Sequence, residues 1–183
     1  TLGANWVGDV MPGRPAASVV TFNNTDVGNT NRLDLDWTLN GGLTVANTTG
    51  AHTMDLGGHT LTLNGGTLTI GPATSPGNAT FQNGTLKLGD ASPLDVRVGY
   101  LHSTATSAIM VNSMVDVASL NSLQLGVATG TVGSPTGVLD LRGSTPLSGT
   151  FSCGALSLGN LSGNGALGTG RLYLNDYGGV ITN

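Results

Sequence analysis

The 183-residue chain contains no glutamate and a single lysine, Lys87. Glu, Lys, Gln and Arg ordinarily cover the solvent face of helices, so their scarcity excludes a helix-rich fold. Charged residues are 9% of the chain, against about 25% in an ordinary soluble domain. The net charge is -4 and there is no Lys/Arg run, so nothing in the chain is arranged to neutralise phosphates, and nucleic acid is not an expected partner. Aromatic residues are 4%, which leaves few platforms for stacking a sugar or a base. Cys153 is the only cysteine. It excludes an internal disulfide, and beside an alternating strand it reads as a small buried hydrophobe. No apolar run approaches the roughly 18 residues of a membrane span, so membrane insertion by this segment is not expected. The start at Thr1, without a charged-then-apolar leader, reads as a processed or excised piece of something longer.

What is present is a small-residue background carrying a short apolar pattern. Gly, Thr, Asn and Ser make up 85 of the 183 residues. Leu and Val dominate the apolar remainder, and that content argues against disorder. Through it runs a unit of apolar, any residue, apolar, often followed by Gly or Asn. The instances begin at Leu33, Leu43, Met54, Leu61, Leu68, Leu86, Val96, Val115, Leu123, Leu139, Leu156 and Leu172. Period-two alternation of this kind predicts short strands with two side chains facing a core and one facing water.

The starts are 7–11 or 16–19 residues apart, one or two units of a short strand plus a tight turn. Three such units make a coil of about 25 residues, inside the repeat range of solenoids. The predicted fold is therefore all-β, a single-stranded parallel β-helix of about seven coils, roughly 35 Å long at about 4.8 Å per rung. Asn40-Gly41, Asn64-Gly65 and Asn83-Gly84 each precede an alternating strand. They are the expected structural corners, because Asn and Gly tolerate positive φ. Asn stacked on Asn would add a side-chain hydrogen-bond ladder. The alternative is an antiparallel β-sandwich, since Asn-Gly between alternating strands is also a hairpin signal, and Met54 to Ile70 has the spacing of a meander. The solenoid is preferred because short units persist to the end of the chain, and because uncharged residues stack without repulsion.

Residues 1–31 read differently, as a cap or inter-module junction that covers the open end of coils occupying residues 32–183. Pro12 and Pro15 flank Gly13-Arg14 there, while Trp6, Val19, Val20 and Phe22 supply apolar bulk.

Asn5-Trp6, the proline-containing loop, Val19-Val20-Thr21-Phe22-Asn23 and His59-Thr60-Leu61-Thr62-Leu63-Asn64-Gly65-Gly66-Thr67-Leu68-Thr69-Ile70 together resemble the passenger-type β-strand repeats of bacterial autotransporters and related large surface proteins. The resemblance covers about the first 90 residues. It implies a right-handed parallel β-helix displayed outside the cell, acting as stalk or adhesive surface, with no fixed catalytic residues.

Candidate chemistry is sparse. Asp34 and Asp36, read on one strand face roughly 7 Å apart, with Trp37 beside them, are the candidate carbohydrate-binding or acid/base set. Solvated outer-face carboxylates are the plainer reading. His52, Asp55 and His59 are of metal-ligating type, but their spacing converges on a helix and this stretch reads as strand and turn. No catalytic residue, metal or cofactor is expected. Gly163-Asn164-Gly165-Ala166-Leu167-Gly168 matches a nucleotide-binding pattern but precedes a strand, not a helix. Thr60-Leu61-Thr62 and Thr67-Leu68-Thr69 suggest an ice-binding array, yet the middle position becomes Lys87, Arg97 and Gln124 further on.

The expected function is thus a non-catalytic extracellular or cell-surface module, structural or adhesive. It would partner with itself, with neighbouring repeats of the same surface protein, or with an extracellular glycan. A carbohydrate-binding or polysaccharide-degrading β-helix is the alternative, and an ice-binding protein the remote one.

Overall fold

The computed structural model of the chain describes residues 19–23, 30–46, 51–72, 76–100, 106–128, 134–147, 151–159 and 167–174. They form strands and turns, in chain order β1 (Val20–Asn23), β2 (Thr30–Arg32), β3 (Trp37–Leu39), β4 (Gly42–Ala46), β5 (His52–Asp55), β6 (Thr60–Leu63), β7 (Thr67–Ile70), β8 (Asn78–Leu88), β9 (Leu94–Val98), β10 (Thr106–Asp116), β11 (Leu120–Leu125), β12 (Thr136–Asp140), β13 (Thr145–Pro146), β14 (Cys153–Leu158) and β15 (Thr169–Tyr173).

Among the described residues every strand pairing is parallel, and each joins strands about one coil apart in sequence. The segments at Met54, Leu61 and Leu68 do not pair with one another, as a meander would require. They are the three successive faces of one turn of a β-solenoid. The first face stacks β1, β4, β7, β9, β11 and β14 in chain order. Its central register runs Val20, Leu43, Leu68, Val96, Leu123, Leu156, with successive members 23, 25, 28, 27 and 33 residues apart. This is the coil length the apolar spacing predicts. Six strands stack on this face, and the seven coils expected from chain length are not reached among the described residues.

The second face runs through β2, β5, the first half of β8, the first half of β10, β12 and β15. The third runs through β3, β6, the second halves of β8 and β10, and β13. Because β8 and β10 cross from second to third face without a break, the two faces share one sheet. Val20–Asn23, placed by sequence in the cap or junction, is the first rung of the first face among the described residues.

The interior is built from stacked apolar columns. Leu43, Leu68, Val96 and Leu123 have no exposed surface, and burial of each such side chain stabilises the fold by about 1.5–3 kcal/mol. The apolar-x-apolar-Gly motif has a specific cause. Gly71, Gly99, Gly126 and Gly159 follow β7, β9, β11 and β14, all with φ between 61° and 70°. Each donates its N–H to a carbonyl at the end of the strand one rung away, as Gly71 does to Val45 at 3.0 Å, Gly99 to Ile70 at 2.9 Å and Gly126 to Val98 at 2.8 Å. A left-handed turn repeated at one corner favours glycine in every coil.

One predicted strand is absent. Leu33-Asp34-Leu35 is a bend between β2 and β3, not a strand. Its leucines are half-buried, and Asp34 and the following Asp36 are exposed. A corner folding over the core gives the same alternation as a strand, which is why the pattern misleads there.

Candidate functional site

Two kinds of corner carry the polar side chains of interest. The first lies between the third and first faces. Here Asn64 donates Nδ2–H to Asn40 Oδ1 at 3.0 Å, and Ser92 N–H donates to Asn64 Oδ1 at 2.8 Å. Asn64 N–H also donates to Leu39 O at 2.8 Å, and Gly65 N–H to Ser92 O at 3.2 Å. Asn40-Gly41 and Asn64-Gly65 thus stack in successive coils as a side-chain ladder, which the next coil continues through a serine backbone. Partly buried amides satisfied in this way stabilise by about 1 kcal/mol per bond.

The second corner lies between the second and third faces and is more open. Asn83-Gly84 is found here, not in the Asn40–Asn64 ladder. In β8, Gln82 pairs with Asp55 and Asn112, and Thr85 with Thr60 and Met114. Asn83 and Gly84 are left out of register on both sides. Asn83 is the one non-glycine described residue with positive φ, at 59°. A Cβ on Gly84 would sit 2.5 Å from both Leu56 Cβ and His59 O, so only glycine lets the rungs close here. Beside this bulge is a shallow cleft of about 380 Å³, running over Gly58, Asn83, Thr85, Asn112, Met114 and Thr145. No ionisable side chain lines it. Met110 and Met114, 47% and 44% exposed, project outward from β10, Met114 into the cleft lining and Met110 on the second face. Asn83-Gly84, read from sequence only as a corner, falls on this cleft, but nothing in the sequence marks the cleft itself.

Several aspartates are engaged by hydrogen bonds within and between coils. Asp36 accepts a 2.8 Å hydrogen bond from Thr60 N–H and lies 3.5 Å from His59 Nδ1. Asp55 caps Gly57 N–H at 2.9 Å, and Asp95 accepts from Asn121 and Ser122 of the next coil. Asp140 receives two bonds from the Arg142 guanidinium, at 2.9 and 2.6 Å. Those bonds hold its carboxyl below the usual range, and Arg142 in turn lies over the Tyr173 ring at 4.3 Å.

The carbohydrate set drawn from sequence needs correcting. Trp37 is only 3% exposed and belongs to the core at the start of β3, so its ring is no sugar platform. Asp34 and Asp36 sit on a corner and not on a strand, and Asp36 serves that corner as a hydrogen-bond acceptor.

His52, Asp55 and His59 do not converge. His52 is in register with Ala79 of the inward column, and its ring stacks on Phe22 at 4.4 Å. Its Nε2 is buried with no hydrogen-bond partner, and burial pushes its pKa down. Among the described residues no group of three or more His, Cys, Asp or Glu side chains is placed to hold a metal. Cys153 is buried, and burial raises its thiol pKa. On the first face the outward register runs Thr21, Thr44, Thr69, Arg97, Gln124, Ser157, so threonine persists for three rungs and then stops. Residues 163–166 of the Gly163–Gly168 pattern lie outside the described residues. Among the described residues no helix is long and apolar enough to cross a membrane.

Compared with known proteins, the chain matches no protein-family model, no curated protein and no solved structure.

Proposed function

We propose that the chain is a non-catalytic, extracellular structural or adhesive β-solenoid module, serving as a rigid stalk, surface layer or filament subunit. The sequence resemblance to bacterial autotransporter passenger repeats points the same way. The observation that carries the reading is the first face. Among the described residues it has six in-register parallel strands with an apolar column inside, and hydroxyl, amide and a few charged side chains outside. A wall of this kind transmits load through backbone ladders and needs no reactive group. The winding is taken as right-handed, as in about 98% of parallel crossover connections, and the complete coil count as about seven. The partners are neighbouring repeats or further copies of the same chain. Electron microscopy of the isolated material tests this: fibres or sheets are expected, and monodisperse globular particles contradict it.

A second reading, carbohydrate binding, is favoured by the uncharged cleft, whose amides and hydroxyls suit sugar hydroxyls. The expected result is retention of a glycan by the wild type and by Asp34→Asn/Asp36→Asn, and its loss in Asn112→Ala. Absence of binding across a glycan panel, with no reducing sugar released, removes this reading.

A further inference from the structure

Three of the described asparagines precede glycine at a corner: Asn40, Asn64 and Asn83. In an unfolded chain the three are chemically near-equivalent, because a following glycine leaves the backbone nitrogen open to the asparagine side chain. The fold separates them. Asn40 and Asn64 have their side-chain amides joined in the ladder, and the Gly65 nitrogen is also engaged, donating to Ser92 O. Asn83 is exposed, holds a left-handed backbone, and with Gly84 lies outside the register of both neighbouring strands. Its carbonyl accepts a hydrogen bond from Gly58 N–H at 2.6 Å, but its side chain makes none among the described residues.

We infer that Asn83 is a site of spontaneous covalent modification, converting to aspartyl and isoaspartyl forms through a succinimide while Asn40 and Asn64 are protected. The Gly84 nitrogen, losing its proton to solvent base, attacks Asn83 Cγ. The N–Cγ bond forms, the Cγ–Nδ2 bond breaks, and Nδ2 leaves as ammonia with a proton from water. Water then adds to one of the two imide carbonyls. Opening at Cγ gives aspartate, and opening at the main-chain carbonyl gives isoaspartate. No oxidation or reduction is involved, and water is the only co-reactant. Either product places a carboxylate on the lip of a cleft whose lining otherwise has no ionisable side chain. The isoaspartyl form also adds a backbone methylene to β8 where the rungs pack closely around Gly84.

The test is site-resolved peptide mass mapping of the intact chain during incubation at mildly alkaline pH, folded and in denaturant. In the folded chain Asn83 is expected to convert at least about tenfold faster than Asn40 or Asn64, the factor that one or two retained hydrogen bonds impose on a barrier. In denaturant the three rates are expected to converge. Equal rates in the folded chain, or an Asn83 as slow as the ladder asparagines, overturn the inference.

Discussion

The two corners that bound the third face start from the same dipeptide and reach opposite states. At one, Asn40-Gly41 and Asn64-Gly65 stack, and their side chains bond along the solenoid axis. At the other, Asn83-Gly84 bulges out of register and opens a cleft. The difference lies in the neighbours one coil away. The ladder needs an amide or a backbone N–H above and below, and Asn40 and Ser92 supply them for Asn64. Asn83 is flanked by Gly58 and Ser113, and neither continues an amide ladder. A corner in a solenoid is therefore specified by its column and not by its own sequence.

That contrast is open to test by substitution. Gly84→Ala is expected to have the largest effect, a loss of about 1–3 kcal/mol, because a side chain there meets Leu56 and the His59 carbonyl. It is read as a lowered denaturation midpoint in urea. Asn64→Ala, which leaves Asn40 Oδ1 and Ser92 N–H without their partner, is expected to cost about 1–2 kcal/mol in the same titration. Asn83→Gly, at the corner without a ladder, is expected to fall within about 0.5 kcal/mol of the wild type, since glycine adopts positive φ freely. If Asn64 and Asn83 prove equally tolerant, the distinction between the corners is lost.

The smallest expected effect concerns pH and lies away from both corners, at half-buried His52 on the second face. The amide ladder does not titrate, whereas His52 is held neutral by burial against Phe22. With its folded pKa lowered, the unfolded chain binds the proton more readily. The His52 contribution is then complete above the ordinary histidine value of 6.5 and is lost as pH falls below it. His52→Phe is expected to flatten the fall in stability between neutral and mildly acidic pH, measured by thermal unfolding. An unchanged slope assigns the acid sensitivity elsewhere.

Much of the architecture was legible because a solenoid repeats its instructions. Missing helix formers, period-two apolar pairs and a spacing near 25 residues all describe one coil, and each coil states them again. The glycine after the apolar pair and the stacking of Asn40 on Asn64 followed from the same reading. The exceptions are places where the neighbouring coil decides. Leu33-Asp34-Leu35 alternates like a strand but covers a corner. Trp37 looks available beside two aspartates until its register with Leu61 puts it inside. The cleft joins residues from β8, β10 and the turns around Gly58 and Gly143, which approach one another only once the coils are stacked, and no local pattern marks it.

The parallel stack itself is the claim on which the rest depends, and a pair of engineered cysteines tests it most directly. Thr44 and Thr69 are outward register partners in β4 and β7, within the Cα separation a disulfide spans. Thr62 and Thr69 lie on different faces of one coil and would approach each other in a meander. Mild oxidation followed by peptide mapping, with buried Cys153 left in place, is predicted to give a Thr44→Cys/Thr69→Cys crosslink and none for Thr62→Cys/Thr69→Cys. The reverse pattern would contradict the solenoid.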